Sequence, residues 1–284
     1  MAVTRYFPVV DGPLRVQPSL VRLGKSFGNG PVDGQAFQRD DSTPEALRQK
    51  TIVLGRASKR VCVDSRASIA PALRRVLAWM RDRLAAEHRI EVQLTDDPRA
   101  DSDALSCSIA EDFVVLTREK GGGREQCSLV HVCFPSNWRP EAVFKKDFRS
   151  LHDPVPGFGD LGPAVPRLVQ AIFERGPYVR FIWTVCPDDQ LDHHPETVRS
   201  RLWGDDVGGY LRVERQSLFP FREVDASLFL IRTYLYPFED LTHEQQRTLA
   251  SALRQMPPEM LRYKGLESAR PRIVGALEAL SGEQ

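Results

Sequence analysis

Leu211-Arg212-Val213-Glu214-Arg215-Gln216-Ser217 and, beyond a short connection around Pro220–Asp225, Leu228-Phe229-Leu230-Ile231-Arg232-Thr233-Tyr234-Leu235-Tyr236 decide how this chain folds. Both stretches favour strand, and side chains on a strand alternate between two faces. Strands over Gly209–Leu218 and Ala226–Tyr236, joined by so short a link, form an antiparallel pair. Leu211, Val213 and Arg215 then share one face, while Arg212, Glu214 and Gln216 take the other. In the second strand Leu228, Leu230, Arg232, Tyr234 and Tyr236 share a face. An arginine thus interrupts each apolar row. Burying a guanidinium without a partner is costly, so Arg215 and Arg232 each call for an anion. Internal salt bridges through Glu214, Glu111 or Asp112 answer that need for either arginine alone. Two such arginines on consecutive strands, beside Tyr234, point instead to a cavity whose ligand carries carboxylates.

Outward from this pair, Phe113-Val114-Val115-Leu116 and Ser128-Leu129-Val130-His131-Val132-Cys133-Phe134 flank a turn around Gly121-Gly122-Gly123 and predict a second antiparallel hairpin. A further strand falls at Tyr178–Val185. Helices lie before and after. Ser42-Thr43-Pro44-Glu45 carries a cap residue, an early proline and a glutamate at capping-box spacing, starting a helix through Lys50. Ile69, Leu73, Val76, Leu77, Met80 and Leu84 recur at helical spacing over Ile69–His88. Helices are also expected over Pro140–Leu151, Ala164–Glu174, from Thr242 with Gln245 at capping-box spacing, over Pro258–Lys264 ended by Gly265, and over Arg272–Leu280. Residues 1–41, rich in Gly and Pro, read as an irregular arm wrapping the domain. The expectation is an arm followed by a single α+β domain over residues 42–284, an antiparallel sheet flanked by helices.

The chain has 284 residues, 42% of them hydrophobic, enough for a real core. Its 39 basic and 38 acidic side chains leave a net charge of +1, so no overall field attracts a polyanion and nucleic acid is not an expected partner. No apolar run reaches signal-peptide or bilayer-spanning length, which leads us to expect a soluble, cytoplasmic protein without membrane association. Cys62, Cys107, Cys127, Cys133 and Cys186 are odd in number and form no Cys-x-x-Cys pair. That pattern argues for free thiols and against a zinc or iron–sulfur site in this chain.

Three motifs imitate function. Gly24-Lys25-Ser26 resembles the end of a phosphate loop, but Ser19 stands where the earlier glycine is needed. Gly157-Phe158-Gly159-Asp160-Leu161-Gly162 matches the dinucleotide fingerprint, yet Pro154 and Pro156 precede it where a central strand should run. Asp188-Asp189-Gln190-Leu191-Asp192-His193-His194 gathers metal-ligand types, and reads more simply as a solvated loop.

His152 extends the apolar stripe of Val143, Phe144, Phe148 and Leu151, and Pro154 stops the helix just beyond it. By itself it is a helix-end histidine interacting with the last carbonyls. Beside an apolar pocket and buried arginines, a sterically fixed imidazole is what a haem iron requires. Cys133 is the rival axial ligand, and His131 and His88 are weaker ones.

At these residues the sequence resembles the haem-dependent oxidative N-demethylase family, whose catalytic subunit is similar to dimethylamine monooxygenase. The likeness runs through Asp11-Gly12-Pro13, Glu111-Asp112, Val132-Cys133-Phe134-Pro135-Ser136-Asn137-Trp138, the His152 segment, Arg212-Val213-Glu214-Arg215-Gln216, Ile231-Arg232-Thr233-Tyr234 and Tyr263-Lys264-Gly265-Leu266. The resemblance implies a PAS-like domain holding haem b, with oxygen activated at the iron and a secondary amine N-demethylated with release of formaldehyde. It implies His152 as proximal iron ligand, Arg215 and Arg232 as catalytic and cofactor-binding pocket residues, and Tyr234 as a donor near oxygen or substrate. Electrons are implied to come from a separate reductase carrying NADPH-linked flavin (FMN) and a [2Fe-2S] centre. One departure stands out: Ile182 precedes Trp183 where the family pattern leads us to expect Asn. The competing readings are a non-catalytic haem sensor or carrier, and a haem-free module that binds a small carboxylate.

Overall fold

The computed structural model describes residues 6–14, 16–56, 60–95, 97–118, 123–204 and 208–282. Its centre is the expected hairpin, longer than the sequence indicates. Strands Tyr210–Phe221 and Ala226–Pro237 pair without interruption from Tyr210 opposite Pro237 to Phe221 opposite Ala226. The turn is a 3-10 segment, Arg222–Val224, closed by Asp225 at φ 47°, a left-handed conformation that aspartate tolerates better than most residues. In chain order the strands are β1 (Val21–Arg22), β2 (Val61–Val63), β3 (Asp112–Arg118), β4 (Glu125–His131), β5 (Tyr178–Cys186), β6 (Tyr210–Phe221) and β7 (Ala226–Pro237). They form one antiparallel sheet in the order β1-β5-β6-β7-β3-β4-β2. The β3–β4 hairpin is present, although part of its glycine turn lies outside the described residues.

The helices are α1 (Thr43–Arg56), α2 (Ala70–His88), α3 (Pro98–Ser106), α4 (Pro140–Val143), α5 (Phe148–His152), α6 (Val165–Glu174), α7 (His243–Arg254), α8 (Pro258–Tyr263) and α9 (Arg270–Leu280). The fold is therefore α+β, an antiparallel sheet flanked by helices. No helix among the described residues is long and apolar enough to cross a membrane.

Helix α1 continues past the expected Lys50 to Arg56, and two other elements differ in kind. The helix predicted over Pro140–Leu151 is two short ones, because Lys145 and Lys146 exchange backbone hydrogen bonds with Cys127 and extend the β4 ladder instead. Lys145 accordingly sits at φ 62°. Helix α3 was not anticipated, although Asp97-Pro98 carries its start signal: the Asp97 carboxylate accepts from the Arg99 amide and Pro98 occupies the first turn. The Thr242–Gln245 capping box of α7 forms as expected.

One sheet face is covered by α2 and α3 at one end, over Phe113, Val115, Leu228 and Leu230, and by α7, α8 and α9 at the other, over Leu211, Val213, Tyr234 and Tyr236. The opposite face carries Val114, Leu116, Val130 and Leu218 and is covered by α6 together with Phe148, Leu151 and Phe158. The chain before α1 is mostly irregular, with β1 on the edge of β5 and a 3-10 turn at Gly30–Gly34.

Candidate functional site

Arg215 and Arg232 lie on the face bearing Leu211 and Tyr234, directly opposite one another in the β6–β7 register, and each is 1% exposed. Their donors go to the N-terminal arm. Arg215 Nη2 donates to the carbonyls of Asp33 and Gln35 at 3.3 and 2.9 Å. Arg232 Nη2 donates to Asp40 Oδ1 at 3.0 Å and Ser42 Oγ at 2.8 Å, and its guanidinium stacks 4.8 Å from the Tyr234 ring centre. The Tyr234 hydroxyl donates to Gln38 Oε1 at 3.0 Å. The expected salt bridges through Glu214 and Asp112 do not form with these two arginines: Glu214 points to the other face, and Asp112 pairs with Lys50. Glu111 is close enough to Arg232 for that charge to oppose its desolvation, and it accepts from the Gln38 amide. Segment 33–42 thus fills the space where a carboxylate ligand was expected.

His152 is on the opposite side of the sheet. It ends α5, half-buried, with its ring stacked on Phe148 and Phe158 at centroid distances of 4.2 and 5.2 Å. Nδ1 lies 2.8 Å from the Phe148 carbonyl oxygen. A carbonyl only accepts, so Nδ1 carries the proton and Nε2 presents its lone pair. Desolvation, helped by the Arg180 charge, lowers the imidazole pKa against the Phe148 hydrogen bond and the Asp153 charge, which favours the neutral ring. The arginine pair and His152, expected in one pocket, are therefore separated by the sheet itself.

Other groups share the His152 face. Alternation along β5 and β6 puts Arg180 opposite Gln216 and Ile182 opposite Glu214 on this side. Arg180 is half-buried; its Nε is enclosed without a hydrogen-bond partner, and desolvation lowers its pKa against the pull of Glu214. Glu214, 7% exposed, accepts from Gln216 Nε2 at 3.1 Å and lies 3.9 Å from Arg212. From the C-terminal end of α8, Lys264 Nζ donates to the Trp183 carbonyl at 3.0 Å, on a stretch of β5 that β1 leaves uncovered. Desolvation, opposed by Glu214, brings Lys264 from 10.5 to about 8. Arg180 and Lys264, both beside Glu214, thus form a polar patch that is desolvated yet partly accessible. Ile182 and Tyr263, 36% and 51% exposed, supply apolar surface beside it. A separate cavity of about 420 Å³ lies between Val16, Gly157, Asp160, Pro257 and Met260, and neither His152 nor Arg180 lines it.

The sequence reading missed Arg180 and named Lys264 only within the Tyr263–Leu266 likeness, with no role at the site. Alternation within Tyr178–Val185 sets Arg180 apart from Val179 and Phe181, but no local pattern tells which face meets His152.

The rival ligands are less suited. Burial, reinforced by Asp112, pushes the Cys133 thiol up, so it is not a thiolate. His131 is fully enclosed, with Nε2 2.9 Å from Asp103 Oδ1 and Nδ1 walled in by the core. His88 Nε2 is committed to the Phe37 carbonyl at 2.8 Å.

Two motif readings are resolved. Gly157 opens a 3-10 segment, Phe158–Ala164, that follows α5 and not a strand, so the dinucleotide pattern lacks its context. The loop after β5 is not the solvated one expected, since Asp188, His193 and His194 are at most 4% exposed. Cys186, Asp188 and His193 bring ligand-type atoms within 4.8 Å of one another. The Arg199 fork occupies both Asp188 oxygens at 2.9 and 3.0 Å, and desolvation with Arg212 and Arg199 lowers His193 to about 3. Two guanidinium charges there oppose a metal cation, and the cluster reads as a buried ionic clasp.

Residues 64–274 match the family model described as haem-dependent oxidative N-demethylase, alpha subunit-like. The matched span runs from before α2 into α9 and includes His152, Arg180, both central arginines and Lys264. On that match over most of its length, the chain belongs to the haem-dependent oxidative N-demethylase alpha-subunit-like family.

Proposed function

We propose that this chain holds a b-type haem on the His152 face of a PAS-like sheet and serves as the catalytic subunit of an oxygen-dependent N-demethylase of secondary methylamines. The observation that carries the reading is the hydrogen bond from His152 Nδ1 to the Phe148 carbonyl, 2.8 Å long, which fixes the ring and aims the Nε2 lone pair away from its own helix. Such an anchor on the second nitrogen is what orients a metal-ligating imidazole. The residues fit the group: an imidazole oriented by its Phe148 hydrogen bond and by stacking on Phe148 and Phe158, and an unanswered guanidinium at Arg180. When bound, the haem supplies the oxygen-activating redox chemistry that these side chains lack.

The chain's own residues supply the setting. Phe148 and Phe158 keep water from the imidazole, and the Phe148 carbonyl holds its proton at Nδ1. Lys264, poised near pH 8, keeps a proton at Nζ beside Glu214. Ile182, where a family member is expected to carry Asn, removes a polar group from this face and favours a less polar amine. Arg215, Arg232 and Tyr234 act from the other face by seating the arm. Electrons come from a separate reductase with NADPH-linked flavin and [2Fe-2S] centres, since the alpha-subunit-like family description implies a partner.

Purified protein titrated with haemin develops a Soret band, and His152→Ala shifts or abolishes it. With a chemical reductant, oxygen and a panel of methylamines, the loaded protein releases formaldehyde. An unchanged spectrum in the variant removes His152 as ligand; haem binding without formaldehyde leaves a sensor or carrier.

A further inference from the structure

Arg180 projects from β5 on the His152 face, opposite Gln216. Among the described residues its guanidinium has no hydrogen-bond partner, and Nε is enclosed. The carboxylate that attracts it, Glu214, is shared with Arg212 and Lys264 and already accepts from Gln216. Glu214 is thus shared among three cations, and no carboxylate among the described residues hydrogen-bonds or ion-pairs with Arg180. The other arginines are answered differently: Arg212 donates to the Leu191 and Phe134 carbonyls at 3.0 and 2.9 Å, and Arg215 and Arg232 to the arm. Lys264 has the Trp183 carbonyl. Arg180 alone of this group keeps its fork open, and its charge reaches the His152 ring.

A permanent charge in a desolvated site needs a permanent counter-anion, because charge that develops only during turnover does nothing for the resting protein. A carboxylate is the anion whose two oxygens match the planar fork of an arginine. We propose that Arg180 receives a propionate carboxylate of the haem, an assignment that rests on the haem-binding reading of His152. Arg180 would thereby hold one end of the haem, leaving the iron to His152.

The test compares haemin with haemin dimethyl ester, whose propionates are masked, by Soret titration of the wild type, Arg180→Gln and Arg180→Lys. Wild type should bind haemin more tightly than the ester by roughly tenfold to a hundredfold, the range of a hydrogen bond to a charged group. Arg180→Gln should lose that preference while binding the ester as the wild type does, which also shows that it folds. Arg180→Lys, which keeps the charge without the fork, should fall between. Equal affinity of the wild type for haemin and ester, or an undiminished preference in Arg180→Gln, overturns the assignment while leaving haem binding intact. Failure of the wild type to bind either compound overturns the haem reading itself.

Discussion

Arg215 and Arg232 face each other directly across the β6–β7 ladder, two buried like charges whose repulsion is offset by a segment nearly two hundred residues away in sequence. Like charges at such a position destabilise a sheet, so the arm residues that receive these guanidinium groups are part of the fold's stability. The relationship also separates two tasks: the arginine pair seats the arm, and the far face of the same strands carries the groups beside His152.

Breaking the Asp40–Arg232 pair should therefore cost stability without touching the haem site proposed around His152. Asp40→Ala removes the carboxylate that Arg232 donates to, leaving it the Ser42 hydroxyl and the Thr233 carbonyl, and should lower unfolding free energy by about 2 kcal/mol. Arg232→Met, which removes the charge itself, should cost less, and the double variant should recover part of the Asp40→Ala loss. Urea midpoints read the cycle. Additive losses would mean that the two side chains are not coupled, and a shifted Soret band in Asp40→Ala would place the haem on the arginine face.

Lys264 should leave a pH signature. Its folded pKa of about 8 lies below the ordinary lysine value of 10.5, so between those limits the unfolded chain binds the extra proton. Stability attributable to this lysine is present above the upper limit, falls as pH drops through the window, and is constant below about 8. The stability difference between wild type and Lys264→Met should thus rise with pH over that window and stay flat below it. Urea titrations across pH 7 to 10.5 test this; a difference independent of pH would show that the amine is not desolvated.

The cysteines should react in order of exposure. Cys107 is exposed and Cys62 half-buried, whereas Cys127, Cys133 and Cys186 are buried, and desolvation raises the pKa of all five. Thiolate is the reactive form. A maleimide added to the folded protein should label Cys107 first and spare the three buried thiols until urea is added, as peptide mass spectrometry would read. Fast native labelling of Cys133 would return it to contention as an iron ligand.

Period-two alternation around Arg215 and Arg232 was enough to predict the central hairpin, the faces of its side chains and the need of both arginines for partners, because strand geometry is local. The helix start at Thr242 was legible for the same reason, since capping groups act within one turn. Helix α1 starts at Thr43 as expected, although Glu45 bonds Arg48 and Gln49 and the Ser42 amide donates to Asp40. The break at Lys145 was not, because it follows from hydrogen bonds to Cys127 on another element. Nor could the sequence tell that the partners of the arginine pair would be Asp40 and the carbonyls of Asp33 and Gln35, which come together only through the arm's path. His152 could be singled out as the end of an apolar stripe, but Arg180 could not be joined to it. That pairing depends on how Phe148, Leu151 and Phe158 join the apolar cluster on that face of the sheet, which is set by long-range packing and not by any spacing along the chain.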